Sequence, residues 1–340
     1  MEMNSKISVI DVFENVVDKE NKYIYDIFES IYDPSIESIS SLKSILYNKN
    51  TTINENLSEL YGALLYLIIN DIFYEFTNHT IDKVPPEIII EKIKILLKNG
   101  ANVNCKNHPL INKYNCFGKL IIHNVFGSFL PVEYKCIMLR LLLDHGANPN
   151  SQDDFGYTPI HYILHNMPTE DIPIYIDILL EYGADLNIRN KSYNTPLSFY
   201  LKTTPIIHMF LYKTQQNIIK DRYKIIKYLL DNGADVNGGF MLEELSINHE
   251  NYSYLYTPLY YAVSNNNKKL VELLLEYGAF IETDHIEKEF SNNNINKYII
   301  ELLKKRIEEL ESLSQYFKRA KIEEEDESDK DSNETEMDDI

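Results

Sequence analysis

DDFGYTPIH at 153–161, followed by ILLEYGADLN at 178–187, is the stretch whose reading decides the fold. Thr158 stands where its hydroxyl can accept a backbone N–H and cap a helix, and Pro159 falls at the first helical position, where a missing donor costs nothing. A helix therefore starts at 159. The apolar stretch from Tyr175 to Leu180 reads as a second helix, and Gly183 supplies the left-handed residue that ends it. Working outward, the second half recurs as ILLKNGANVN at 95–104, LLLDHGANPN at 141–150, YLLDNGADVN at 228–237 and LLLEYGAFIE at 273–282. A unit used repeatedly in one chain is stable only by stacking on its own copies. That makes an extended surface and argues against a single catalytic pocket.

The front half recurs as YTPIHY at 157–162, NTPLSF at 194–199 and YTPLYY at 256–261. Together the two halves resemble the ankyrin repeat, with T-P-L-H at its first helix and L-L-x-x-G-A-D-V-N after its second. Ser198 and Tyr260 replace the motif's His, and KLIIHN near Gly118 keeps only His123. The resemblance runs from about 86 to 282. In decayed form it reaches back to about 40, with SILYNKNTTIN at 44–54 as a second helix and turn and YGALLY at 61–66 as a first helix. It implies an all-α ankyrin-repeat solenoid of stacked helix-turn-helix units. The expected organisation is an N-terminal helical cap at 1–40, repeats at 41–284, an amphipathic capping helix at 285–320 and a disordered acidic tail at 321–340.

From Gly100 the repeat glycines step by 46, 37, 50 and 45 residues, all longer than the roughly 33 usual for ankyrins. The segments 202–222 and 238–253 hold most of the excess. They are recognition loops or merely drifted linkers, since loops tolerate insertion.

The chain has 340 residues, 44% of them hydrophobic, and a net charge of −19. No run approaches the roughly 20 apolar residues of a membrane span. MEMNSKISVIDVFENV at the start lacks the basic onset and apolar core of a signal peptide, and Cys105, Cys116 and Cys136 cannot all pair within one chain. A reducing cytoplasm or nucleus is expected, so the sequons at Asn50, Asn56, Asn78 and Asn251 carry no glycan. The last 20 residues hold 11 acids against 2 lysines, with almost no apolar content to offset chain entropy. That tail aids solubility, holds a basic partner, or is phosphorylated at Ser328. The chain's acidity weighs against nucleic acid as the ligand, because phosphate binding rests on Lys and Arg.

Ile295, Ile299, Leu302, Leu303, Ile307, Leu310, Leu313 and Phe317 recur mostly at three- and four-residue intervals. This stripe covers the last repeat as a cap, or it binds a partner. Lys304-Lys305-Arg306 and Lys318-Arg319-Ala320-Lys321 resemble a bipartite nuclear import signal, although basic residues on a solvated helix face need no further explanation.

Chemistry finds little support. Cys105, His108, Cys116 and His123 are zinc-ligand types at a spacing of no known finger. His161, His165 and Asp171 lack a nucleophile elbow, and no glycine-rich phosphate loop is present. No enzyme activity, metal or cofactor is expected.

The resemblance also implies a contact surface. In ankyrin stacks the turn tips and the exposed side of the first helix form a concave face. Carried over by position, this comprises Asp154, Phe155, Tyr157, His165 and Asn166 in one unit, and Lys191, Ser192, Asn194, Lys202 and Thr203 in the next. The last unit contributes Ser253, Tyr254, Tyr256, Ser264 and Asn265. Phe155, Tyr157, Tyr254 and Tyr256 stand out, because exposed aromatics give contact area at low entropic cost. With 26 Tyr in the chain, such positions also arise by composition alone. Tyr162, Phe199 and Tyr261 form a matching column that reads as framework packing.

Heavy use of Asn, Ile, Lys and Tyr without Trp looks like an AT-rich genome. The long irregular repeats are similar to those of ankyrin proteins of large DNA viruses, poxviruses especially. That similarity implies binding of a host protein, and an AT-rich protist is the other source; the chain is expected to be a monomer. The C-terminal F-box-like segment common in those proteins is not apparent. Simple binding of a protein is the expected function, with delivery of that protein to ubiquitin ligase or other machinery as the alternative.

Overall fold

A Thr-Pro pair opens each of three helices, and the structure shows how. In this computed structural model the described residues are 26–27, 29–31, 33, 35–47, 55–74, 85–106, 111, 118–127, 130–203, 215–241, 255–281 and 295–313. Pro159–Asn166, Pro196–Lys202 and Pro258–Ser264 each begin with Pro after a Thr in extended backbone. The Thr195 and Thr257 hydroxyls accept the amides of Ser198 at 3.3 Å and Tyr260 at 3.2 Å. The Thr158 hydroxyl departs from that expectation and lies 2.9 Å from His161 Nδ1. The reason is local. A His three residues into the helix brings a ring nitrogen that takes up the Thr158 hydroxyl and its backbone N–H, whereas Ser198 and Tyr260 offer none.

In chain order the helices are α1 Glu37–Tyr47, α2 Glu55–Tyr74, α3 Pro86–Lys98, α4 Ile121–Asn124 with a 3-10 turn Val125–Gly127, and α5 Val132–Asp144. There follow α6 Pro159–Asn166, α7 Ile172–Glu181, α8 Pro196–Lys202, α9 Gln215–Asp231, α10 Pro258–Ser264 and α11 Lys268–Glu276. Helix α12 spans 297–313. The described residues contain little strand, namely β1 Phe240–Met241 and β2 Leu255–Tyr256. The chain falls into two compact units, 1–255 and 256–340.

In the first unit, first helices pack on first helices and second helices on second. Helix α2 packs on α4, α4 on α6 and α6 on α8, while α1 packs on α3, α3 on α5, α5 on α7 and α7 on α9. Helices α3, α5, α7 and α9 end by the same device. At α7 the Gly183 N–H donates to Leu180 O at 3.0 Å and the Ala184 N–H to Leu179 O at 3.0 Å, with Gly183 at φ 82°. This two-bond closure satisfies carbonyls that the helix end leaves open.

Asparagines then tie each turn to the next. Asn104, Asn150 and Asn187 donate through Nδ2 to the carbonyls of Gly146, Gly183 and Gly233 at 2.9, 2.9 and 3.1 Å. Their Oδ1 atoms accept the amides of Asn148, Asp185 and Asp235 at 3.2, 2.8 and 2.7 Å. A second ladder runs along the outer helices, where Tyr134, Tyr182 and Tyr228 donate their hydroxyls to Glu87, Asp144 and Asp177. Arg222 of α9 closes the end of α8 by donating to the carbonyls of Thr203 at 2.7 Å and Leu201 at 3.0 Å.

Helix α1 begins at Glu37, inside the expected cap, and α2 runs far beyond YGALLY in both directions. Lys92 of α3 is 2% exposed. Its ammonium donates to Ile31 O at 2.9 Å and Asp33 O at 2.5 Å, at the end of the helical segment preceding α1. Burial lowers its pKa to about 8, against the opposing pull of Asp33.

In the second unit, α10 and α11 pack together. Helix α12 joins them through the Tyr298 hydroxyl, which donates to Glu272 at 2.8 Å, and through the Asn296 N–H, which donates to Asn266 Oδ1 at 2.7 Å. The Lys268 ammonium lies 3.5 Å from the Tyr298 ring centre. Ile299 and Leu303 are fully buried, while Leu310 and Leu313 are 45% and 49% exposed. The stripe that seats α12 therefore continues past its own support. The acidic tail, most of the N-terminal cap, Phe317, the second half of the import-like signal, Asn50, Asn78, Asn251, and 204–214 and 242–254 of the long insertions lie outside the described residues.

Candidate protein-binding face

Two hairpin turns of the first unit present the positions carried over from the motif. Asp153 shapes one turn, its Oδ1 accepting the N–H groups of Phe155 at 2.9 Å and Tyr157 at 2.8 Å. Asn190 shapes the next, its Oδ1 accepting from Ser192 and Asn194 at 3.0 Å each. These carboxylate and amide oxygens stand in for the backbone partners a tight turn cannot supply. The turns stack directly, with the Lys191 N–H donating to Phe155 O at 2.9 Å. A Cβ on Gly156 would lie 2.7 Å from that same Lys191 nitrogen, so Gly is needed there for proximity as well as for its φ of 78°.

The next turn has Tyr193 at the position of Gly156, held at φ 60°. Its side chain is 50% exposed. A bulky residue in the left-handed region costs about 1–2 kcal/mol, and such strain is found more often at functional positions.

Behind the turns lies a run of rings. Tyr157 stands 6.3 Å from Phe155, 6.3 Å from Tyr162 and 5.3 Å from Phe199, measured between ring centres. His165 lies 5.9 Å from Phe199. Tyr162 donates its hydroxyl to Asp153 Oδ2 at 2.7 Å, and the Lys119 ammonium sits 4.9 Å from its ring centre. Phe199 is buried and Tyr162 half-buried.

Two histidines tie the first helices to the turns. His161 Nε2 donates to Asn194 O at 3.3 Å, and its Nδ1 accepts the Thr158 N–H at 3.2 Å. His123 Nε2 donates to Ser151 O at 3.0 Å, and its Nδ1 accepts the Leu120 N–H at 3.0 Å. This requires the neutral ring with its proton on Nε2. Burial pushes both pKa values down to about 4. Ser198 makes no such link, because its short hydroxyl turns back to Thr195 O at 3.1 Å, and the Thr195 hydroxyl instead lies 3.4 Å from Gly238 O of the next turn.

Of the carried-over positions, Asp154, Phe155, Lys191, Ser192 and Lys202 are exposed, and Tyr157, His165, Asn166 and Thr203 half-buried. Asn194 is a correction. It is 5% exposed, because its N–H and carbonyl are consumed by Asn190 and His161. In the second unit Ser264 and Asn265 are exposed at the end of α10. Ser253 and Tyr254 lie outside the described residues, as does the side chain of Tyr256. Tyr193 escaped the motif reading because that reading assigns its position to glycine; a large residue standing there was the available signal.

Among the zinc-type residues, His108 and Cys116 lie outside the described residues, and His123 is engaged as above. Among the described residues no group of three or more His, Cys, Asp or Glu side chains is placed to hold a metal ion. No helix among them is long and apolar enough to cross a membrane. His161 and His165 are held by packing, and Asp171 is raised in pKa by burial at the start of α7.

Comparison with known families identifies the repeat. Residues 142–199 match the family described as ankyrin repeats (many copies), and residues 215–285 match ankyrin repeats (3 copies). No curated protein matches the chain. The chain thus carries ankyrin repeats in an all-α repeat fold. Ankyrin repeats in general are protein–protein interaction modules, typically without catalytic function.

Proposed function

We propose that this chain is a non-catalytic binding module that grips another protein on the concave side of its stacked first helices and turns. The contact residues on this reading are Asp154, Phe155, Tyr157, His165, Asn166, Lys191, Ser192, Lys202 and Thr203, with Tyr193 added and Asn194 withdrawn. Ser264 and Asn265 are the exposed candidates in the second unit, and Ser253, Tyr254 and Tyr256 stay candidates by sequence position alone. The observation that carries the reading is the ring run from Phe155 through Tyr157 to Phe199, open to solvent at Phe155, which is 51% exposed. Rigid aromatics on a preformed surface concentrate binding energy in few residues. The similarity to poxvirus-type ankyrin proteins supports a host protein as the partner and the host cytoplasm as the place.

Exposed Leu310 and Leu313 on α12 favour a second reading. In that reading the chain is an adaptor, and this stretch passes the bound protein to other machinery such as a ubiquitin ligase. Affinity purification from host cells with the unaltered chain, a Phe155→Ala/Tyr157→Ala variant and a Leu310→Ser/Leu313→Ser variant tests both. The first variant is expected to lose the co-purifying proteins. Equal yield from it overturns the placement of the face. Loss of effect with retained binding in the second variant establishes the adaptor.

A further inference from the structure

Of the two turns that carry the exposed rings, the second is cationic in a chain of net charge −19. Arg189 and Lys191 flank the second turn and are both exposed. Neither side chain has an ion-pair partner among the described residues. Several other cations are matched: Arg140 pairs with Glu181 at 2.5 Å, Lys227 with Asp231 at 3.2 Å and Lys94 with Glu91 at 2.6 Å. On the first turn the exposed acid Asp154 is already occupied, with Lys106 at 3.4 Å. The other acid there, Asp153, is buried and spent on the turn and on Tyr162. Lys119 lies over the Tyr162 ring on the same side. The surface therefore combines half-exposed aromatics, Phe155 and Tyr193, with positive charge that the chain leaves uncompensated.

We infer that these two turns bind an acidic polypeptide segment, its carboxylates facing Arg189 and Lys191 and its apolar side chains resting on Phe155 and Tyr193. This rests on the protein-binding reading above and deepens it by naming the partner's chemistry. Complementary charge sets encounter rate and partner choice, and a surface whose surroundings are strongly negative selects against acidic partners unless a local patch offsets the repulsion. Arg189 and Lys191 supply that offset where the rings are. Tyr193 supplies a reason for its own backbone, since a glycine there would relieve the strain and forfeit the ring. A nucleic acid shares the negative charge and also stacks on rings. It is the poorer fit, because counterion release needs several phosphate contacts and only two unpaired cations frame the turn.

The test is selection of a random peptide library displayed on phage against the full chain at low salt. Selected sequences are then synthesised and titrated against three variants. The expected result is enrichment of peptides with several Asp or Glu and at least one large apolar residue. Their affinity should fall by about tenfold or more for Arg189→Glu/Lys191→Glu, fall for Phe155→Ala/Tyr193→Gly, and change less than about twofold for Arg140→Glu on the outer helices. Neutral or basic peptides that still need Phe155 and Tyr193 overturn the acidic partner while leaving the face in place. Peptides insensitive to both face variants overturn the face itself. Absence of enrichment, or a thymidine oligonucleotide probe binding with the same sensitivity to charge reversal, overturns the acidic polypeptide.

Discussion

Acidification from near pH 7 to about pH 5 is expected to destabilise the first unit through two buried imidazoles. His123 and His161 have pKa values lowered to about 4 by burial, whereas an unfolded histidine titrates near 6.5. Between those values the unfolded chain binds more protons than the folded one. Stability therefore rises with pH in that window; it is fully present above about 6.5, drains away as pH falls, and stops falling once the folded rings protonate near 4. At pH 5 each unfolded ring is almost wholly charged and each folded ring still mostly neutral. Linkage over that interval then amounts to about 2 kcal/mol per histidine, or about 4 kcal/mol for both. His161 sits near His123, and the mutual repulsion of their charged forms pushes in the same direction.

The chain provides its own control. Ser198 occupies the equivalent position in the next first helix, fully buried and bonded to Thr195 O, so His161→Ser and His123→Ser replace a residue by one the architecture already accepts. Urea unfolding near pH 7, 6 and 5 should show the unaltered chain losing about 2 kcal/mol more than either single variant, and about 4 kcal/mol more than the double variant, across that range. Carboxylates common to all four proteins cancel in the comparison. Identical pH slopes in the unaltered chain and the double variant would refute the reasoning, because they would mean the rings are not held neutral by the fold.

Relief of the left-handed backbone makes Tyr193→Gly stabilising by about 1 kcal/mol, read as a raised urea midpoint. Lys92→Ala leaves the Ile31 and Asp33 carbonyls without their ammonium and should cost about 2–4 kcal/mol, with Lys92→Met milder because it removes the buried charge while filling its space. Asn150→Ala removes two bonds between successive turns, at about 1–2 kcal/mol, and should speed hydrogen exchange at the Asp185 amide before that at Leu179. Leu303→Ala, at a fully buried position of α12, is expected to cost about 2–5 kcal/mol in the second unit, visible as early loss of protection along 297–313.

The parts legible from the chain alone were those written by neighbouring residues. Thr-Pro at 158–159 and Gly at 183 each act over a single turn, so helix starts and stops could be read without knowing what packs where. Where such punctuation is absent the reading blurred. Helix α2 has neither Thr-Pro at its start nor Gly at its end, and its length is set by burial among α3 and α4. The site divides along the same line. Exposure of Phe155 and Lys191 follows from their place in a turn, but burial of Asn194 follows from a hydrogen bond arriving from His161, 33 residues away. The asparagines at 104, 150 and 187 stand in plain view at the end of three of the quoted ten-residue strings, yet their role depends on the glycine carbonyl of the following unit, which only the stack brings within reach. Tyr193 joins the two cases, since its backbone angle is dictated by the local turn and the persistence of its ring there, at a cost a glycine would remove, points outward to whatever that ring contacts.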